Sequence, residues 1–111
     1  MITKFKIFEN ISILPKIDDY VIINPEEFVY SHKILYSFFL NLPIGQIINT
    51  KTAHGGTELT YQIKFEDVPN EVAGSYFDSD NSRYFTINYF NYWSSNKEEI
   101  GAITQAKKYN L

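Results

Sequence analysis

The middle of the chain alternates apolar and polar residues with a period of two. Leu59, Tyr61, Ile63 and Phe65 are each separated by one polar residue, which is the pattern of a strand with one buried and one solvated face. A second β-like stretch begins at Gly45, and the Gly-Gly pair between the two stretches supplies a flexible tip where the chain can reverse. The pattern therefore predicts an antiparallel hairpin in this part of the chain.

Three further stretches have the residue types of strands. Residues 3–9 alternate apolar and charged side chains, residues 20–23 are apolar on both faces as in an interior strand, and residues 83–93 are aromatic on both faces. Residues 71–83 are small and polar, so they predict a loop. Together with the hairpin, these stretches predict a small antiparallel sheet.

Two segments carry the signals of a helix. Asn24 followed by Pro25 and two acidic residues is typical of a helix start, and the apolar positions behind it recur near helical spacing. The segment near 25–41 is therefore a helix or, because it also contains β-favouring residues, an irregular insertion between strands. Ser95 to Glu98 matches a capping box and predicts a C-terminal helix near 96–108, with Ile100 on its apolar stripe. The predicted fold class is α+β.

Composition bounds the kind of protein that this chain can form. Its 111 residues predict one domain spanning residues 1–111, and a hydrophobic content of 44% with an aromatic content of 17% is ample for a packed core. A net charge of −3 disfavours strong, non-specific binding to nucleic acid. The absence of cysteine excludes disulfides and thiolate metal sites. The most hydrophobic segment of the chain is far shorter than the ~20 residues of a membrane span, so we expect a cytoplasmic protein without membrane contact.

Four islands of sequence occur in order along the chain. They are Asp19-Tyr20-Val21, Ile44-Gly45-Gln46-Ile47-Ile48, Tyr61-Gln62-Ile63-Lys64-Phe65-Glu66-Asp67-Val68-Pro69 and Trp93-Ser94-Ser95-Asn96-Lys97-Glu98-Glu99. Together they resemble a group of small proteins from phages, large viruses and AT-rich bacteria, which shares a GDYV-like strand, an IGKI-like turn, a YxVKYENIP-like strand and a WSKNKEE-like helix start. The resemblance implies an SH3-like small β-barrel and, for a viral protein, a location in the host cytoplasm. This chain departs from the group by Asp18, where a glycine is usual, and by its Phe-rich stretch at 26–42.

The titratable residues predict neither catalysis nor metal binding. His32 and His54 are the two histidines, and neither has a second histidine or a cysteine at ligand spacing. The acidic pairs fit helix starts and solvated turns, and none has the spacing of a calcium loop. The sequence therefore predicts a protein without cofactor or metal and without enzymatic activity.

Aromatic residues are more numerous than the core of a small barrel needs. The surplus either lies under the helices or forms a face that binds another protein, since exposed aromatic residues are favoured at interfaces. We therefore predict a protein-binding module. The resemblance implies that it is an accessory protein or inhibitor of a host system, acting on a host or viral protein. The surplus consists of Tyr30, Tyr36, Phe38, Phe39, Tyr76, Phe77, Tyr84, Phe90 and Tyr92. The predicted partner-binding residues are Tyr76, Phe77, Arg83, Tyr84, Phe90 and Tyr92.

Two other functions remain open at this point. The first is nucleic-acid binding in the manner of Tudor-like or KOW-like barrels, with Arg83, Tyr84, Tyr92 and Lys97 as a patch that stacks on bases and contacts phosphates. The second is a structural subunit of a larger assembly.

Overall fold

The computed structural model describes residues 14–53 and 55–109, with side chains as far as residue 107. The predicted strand at residues 3–9 and the predicted turn residue His54 lie outside the described residues.

Within the described residues the fold is α+β, with one antiparallel sheet of five strands and three α-helices. The strands lie in the spatial order β4-β3-β2-β1-β5. They are β1 (Tyr20–Ile23), β2 (Ile44–Ala53), β3 (Glu58–Phe65), β4 (Ser82–Thr86) and β5 (Phe90–Ser94). The helices are α1 (Lys33–Leu40), α2 (Asn70–Tyr76) and α3 (Lys97–Tyr109), with 3₁₀-helices at Pro25–Phe28 and Ile87–Tyr89.

The predicted hairpin is confirmed as β2 and β3. Ile47 pairs with Ile63 and Thr50 pairs with Tyr61, and a bulge at Ile48 bends β2 between these pairs. Gly55 and Gly56 at the tip have φ values of 70° and 88°, the left-handed region that glycine adopts without strain. Because period-two alternation fixes which residues of β3 face inward, the buried face of this strand follows from the sequence. The register shift at Ile48 does not.

The segment at 25–41 contains two short helices, as one of the two interpretations predicted. The side chain of Asn24 accepts a hydrogen bond from the backbone N–H of Glu26 at 3.1 Å and so caps the first 3₁₀-helix, with Pro25 at its start. Helix α1 follows after a turn and buries Phe38 and Phe39.

The loop predicted at 71–83 is wrong, because residues 70–76 form α2. The backbone N–H groups of Val72 and Ala73 donate to the carbonyl of Pro69 at 2.9 and 2.8 Å, and the Val72 side chain is buried in the core. Gly and Ser within this segment have low helix preference, so the helix depends on the apolar contact that Val72 makes.

Two further predictions need correction. The single strand predicted at 83–93 is two strands, β4 and β5, separated by the 3₁₀-helix at 87–89. The capping residue of α3 is Asn96 and not Ser95. The Asn96 side chain accepts from the backbone N–H groups of Glu98 and Glu99 at 2.9 and 3.2 Å, and Ser94 Oγ donates to the Glu99 carboxylate at 2.5 Å.

Apolar residues cover both faces of β1, as predicted for an interior strand. On the inner face, Val21 and Ile23 belong to a main core that includes the side chains of α1 and α2. On the outer face, Ile22 packs with Leu42 and with Ile100 of α3 in a second, smaller cluster. The main core consists of Val21, Ile23, Phe28, Leu35, Phe38, Phe39, Ile47, Tyr61, Ile63, Phe65, Val72, Phe85, Phe90 and Trp93.

Gly45 in β2 sits where no side chain fits. A Cβ atom at this position would lie 2.4 Å from Cγ2 of Ile63 and 2.7 Å from the ring of Phe65, and both neighbours are fully buried. The glycine therefore allows β2 to lie against the core side chains of β3.

Candidate functional site

The structure places Phe90 in the main core. It is 1% exposed, and its ring lies 5.3 Å from that of Tyr61 and 6.1 Å from that of Trp93. A partner cannot reach this side chain in the folded protein, so Phe90 does not belong to a binding face.

Three other predicted site residues connect α2 to β4. Tyr76 and Phe77 are half-buried against the main core. The guanidinium of Arg83 donates from Nη1 to the carbonyl of Tyr76 at 2.9 Å and lies 5.7 Å from the ring of Phe85. Its Nε is buried without a hydrogen-bond partner. These contacts hold the end of α2 against the sheet and account for the three residues structurally.

The remaining two predicted residues, Tyr84 and Tyr92, lie on the outer face of the sheet but far apart. Tyr84 is on β4 and Tyr92 is on β5, and three strands lie between them. Tyr92 is half-buried in the small cluster under α3, with Lys107 Nζ at 5.6 Å from its ring. The six predicted residues therefore do not form one surface.

Tyr84 lies at one end of a chain of polar side chains on the outer face. Its hydroxyl donates to Gln62 Oε1 at 3.1 Å, Gln62 donates to Ser82 Oγ at 2.7 Å, and Ser82 donates to the Asp80 carboxylate at 2.6 Å. The Ser82 hydrogen bond holds the pKa of Asp80 below its usual value, and the positive charge of Lys64 lowers the pKa further.

Most of the surplus aromatic side chains pack within the protein. Phe38, Phe39 and Phe90 are buried, and the others are half-buried except Tyr84 and Tyr30. Tyr30, in the turn before α1, is 99% exposed. An aromatic face large enough to carry a binding site is therefore not present among the described residues.

A groove of about 760 Å³ opens on the outer face instead. Its walls are helix α3 on one side and the connections around the end of α1 and the end of β3 on the other. This volume is within the range of about 300–1,000 Å³ typical of ligand sites. The lining residues are Tyr20, Phe38, Asn41, Leu42, Pro43, Ile44, Gly45, Gln46, Lys64, Glu66, Asp67, Pro69, Lys97, Gly101, Thr104 and Gln105.

The floor of the groove is a row of side chains across three adjacent strands. Tyr20 of β1 is opposite Gln46 of β2, which is opposite Lys64 of β3. Gln46 donates to the backbone carbonyl of Asp18 at 3.3 Å, and Lys97 Nζ lies 5.8 Å from the Tyr20 ring. Antiparallel pairing thus puts one aromatic, one amide and two ammonium groups at the same level of the groove.

Charge in the groove changes sign along the strands. Lys64 and Lys97 lie at the level of the floor row. Glu66 lines the groove just past the end of β3 at Phe65, about 7 Å further along than Lys64, and Asp67 follows it. The groove has a basic end and an acidic end.

Two lining residues other than glycine have left-handed backbone. Leu42 and Asp67 both have a φ of 54°, which is uncommon for a branched apolar side chain such as that of leucine. Leu42 follows the end of α1, where its N–H donates to the carbonyl of Phe39 at 2.9 Å. Its side chain is buried with Ile22 and Ile100, and this burial offsets the backbone strain.

Gly101 gives the groove an open stretch of helix wall. No heavy atom lies within 4 Å of the position that a Cβ would occupy there, so packing within the molecule does not require glycine. Glycine in a helix interior destabilises it by about 0.5–1 kcal/mol relative to alanine. Gly74 of α2 has the same open environment but does not line the groove.

The described part of the chain contains no group of three or more His, Asp or Glu side chains arranged to hold a metal ion. None of the helices within residues 14–53 and 55–109 is long and apolar enough to cross a membrane.

Comparison with known proteins finds no match for this chain. Neither a protein-family model, nor a curated protein, nor a solved structure matches it.

Sequence reasoning missed the groove because its residues are scattered along the chain. The alternation places Lys64 on the solvated face of β3, as observed, whereas Glu66, predicted on the same strand, lies just past its end. Lys97 belongs to the predicted nucleic-acid patch. These residues come next to Gln46 and Gly101 only through the β1–β2–β3 pairing and the packing of α3. Neither the pairing nor the packing produces a contiguous sequence motif.

Proposed function

We propose that this protein is a non-enzymatic binding module that takes a segment of another protein into the groove beside α3. The observation that carries the proposal is the groove itself, with amide and charged side chains on its floor and an open helix wall at Gly101. Such side chains supply directional hydrogen bonds and electrostatic complementarity, which give specificity for a partner.

The proposal includes an SH3-like barrel as the scaffold. Support comes from the strand order, in which β1 lies between β2 and β5, and from the 3₁₀-helix that joins the last two strands. The bulge at Ile48 bends β2 so that its first half pairs with β1 and β3 while its second half pairs with β3 alone. A strand shared in this way is the usual means of curving a small sheet.

Binding without catalysis is the simplest function for these side chains. The hydroxyl of Thr104 in the groove donates to the carbonyl of Ile100 at 3.1 Å, and no described histidine lines the groove. The Thr104 hydroxyl is therefore engaged by the helix backbone, with no described histidine in the groove to activate it as a nucleophile. The resemblance to small phage and viral proteins extends the proposal to an accessory protein or inhibitor of a host system.

A groove-filling variant tests the proposed function. Gly101→Gln places a polar side chain in the groove, and Gly74→Gln is the matched control on α2. Because both positions are open and glutamine favours helix, we expect both variants to unfold at or above the wild-type temperature. In affinity capture from the native host followed by mass spectrometry, proteins retained by the wild type and by Gly74→Gln should be lost from Gly101→Gln.

Loss of the same proteins from both variants, or their retention by both, would contradict the assignment to this groove. Capture of nothing by the wild type would remove the support for a binding module.

Nucleic-acid binding is the second candidate, and one observation favours it. Tyr84 is partly exposed on the outer face, with Lys51 Nζ 5.5 Å from its ring, which is a combination that single-stranded nucleic acid uses for stacking and phosphate contact. The rest of the predicted patch is divided, since Arg83 is held against α2 and Tyr92 lies under Lys107.

Titration of fluorescently labelled DNA and RNA, single- and double-stranded, tests this candidate. It predicts binding that weakens steeply as salt is raised, because phosphate contacts release counterions, and that is lost in Tyr84→Ala. An unchanged anisotropy at low salt would exclude it.

A further inference from the structure

We propose that the groove selects an extended peptide that carries one acidic and one basic side chain two residues apart. This inference rests on the proposed function and adds the chemistry of the partner. It is argued from the positions of four charged residues of the groove, which are Lys64, Lys97, Glu66 and Asp67.

The spacing between the basic and acidic ends matches a β-strand. Lys64 is on the outer face of β3, and Glu66 directly follows the last residue of that strand, Phe65. Because Phe65 between them is still extended, the Cα atoms of Lys64 and Glu66 are separated by about 7 Å. An extended peptide lying along β3 also projects every second side chain to one face, at the same interval. When a carboxylate of the peptide lies over Lys64, the side chain two residues further along the peptide therefore lies over Glu66.

The second charged residue at each end makes the pattern more selective. Neighbouring strands lie about 4.8 Å apart, so Lys64 and the Tyr20 ring under Lys97 are about 10 Å apart across the groove. A carboxylate near Gln46 lies between the two ammonium groups. At the other end Asp67 adds a second negative charge next to Glu66. A peptide with two like charges meets repulsion at one end, and an uncharged peptide gains no electrostatic attraction at either end. Lys64 also faces the charge of Asp80, so a peptide carboxylate shares this ammonium group with Asp80.

The open wall at Gly101 indicates where the peptide backbone lies. Absence of a side chain there lets another main chain approach α3 closely. The amides of Gln46 and Gln105 border the same space and supply donors and acceptors to a peptide backbone. The charged residues then recognise the side chains of the peptide, while the amides of Gln46 and Gln105 bind its main chain.

The experiment is an NMR titration of the isotope-labelled full chain with four capped pentapeptides at low salt. Their sequences are acetyl-Gly-Glu-Ser-Lys-Gly-amide, the reversed Gly-Lys-Ser-Glu-Gly, and the like-charged Gly-Glu-Ser-Glu-Gly and Gly-Lys-Ser-Lys-Gly. We expect at least one mixed-charge peptide to shift the amide resonances of Gly45 and Gly101, which line the groove, and to bind about tenfold more tightly than either like-charged peptide. The Gly74 resonance outside the groove should stay in place.

Charge substitutions in the protein should change the preference. Glu66→Lys should make the groove bind the doubly acidic peptide most tightly, and Lys64→Glu should make it bind the doubly basic peptide most tightly. Lys33→Glu and Glu71→Lys, at exposed residues that do not line this groove, are the matched controls and should leave the preference unchanged.

Equal binding of all four peptides, no shift at millimolar peptide, or an unchanged preference in the two groove variants would each overturn the inference. The proposed function has an independent test. It predicts that the Gly101→Gln substitution abolishes the capture of partner proteins, whatever the charge of the captured segment.

Discussion

Replacing Phe39 by alanine is expected to destabilise the protein by about 3–5 kcal/mol, the range for a large aromatic side chain in a core. Phe39 is fully buried and lies at the centre of a cluster of rings. Its ring centroid is 5.3 Å from that of Phe28, 5.0 Å from Phe38, 5.5 Å from Phe65 and 6.0 Å from Phe85. The substitution therefore removes both the burial of the ring and several edge contacts, each worth about 0.5–1.5 kcal/mol.

The measurement is chemical denaturation followed by circular dichroism, with Tyr30→Ala as the control. Tyr30 is the most exposed of the aromatic residues described, at 99%, so its removal should change the free energy of unfolding by less than about 0.5 kcal/mol. A similar, small effect at both positions would contradict the aromatic core and would return the surplus rings to the surface.

Replacing Ile100 by alanine is expected to cost about 2–5 kcal/mol and to loosen α3 selectively. Ile100 is fully buried and joins α3 to Ile22 of β1 and to Leu42. Because this second cluster is small, one truncated side chain removes a large part of the apolar contact that holds the helix. The groove should lose its α3 wall as a result.

Hydrogen exchange measured residue by residue distinguishes this local effect from general destabilisation. In Ile100→Ala the amides of α3 should lose protection more than those of β2 and β3. Ile34→Ala is the matched control, since Ile34 is also helical but is 43% exposed, and it should have little effect. If α3 keeps its protection in Ile100→Ala, the helix is held by other contacts and the account of the second cluster is wrong.

The role of the aromatic residues shows how burial changes a functional interpretation. Nine rings exceeded the expected needs of a small sheet, and the sequence left open whether helices or a partner cover them. The structure resolves this for Phe38 and Phe39, because α1 and α2 form an additional layer that the rings fill. The candidate binding site is consequently the polar groove and not an aromatic face.

By itself the sequence determined the elements whose signals are local. Alternation with a period of two specified β3 and its buried face, Asn24 with Pro25 specified a helix start, and a polar segment before Ile100 specified the C-terminal helix within a residue of its observed cap. These signals work because each depends on neighbours a few residues away, through side-chain periodicity or a capping hydrogen bond.

Only the tertiary structure decided the features that depend on distant contacts. Helix α2 exists because Val72 enters the core, the strand predicted at 83–93 breaks at the 3₁₀-helix, and the groove appears where β1, β2 and β3 align Tyr20, Gln46 and Lys64 beneath α3. No window of sequence contains these residues together. Their free energies come from packing between segments brought together by folding, and local propensity does not encode packing of that kind.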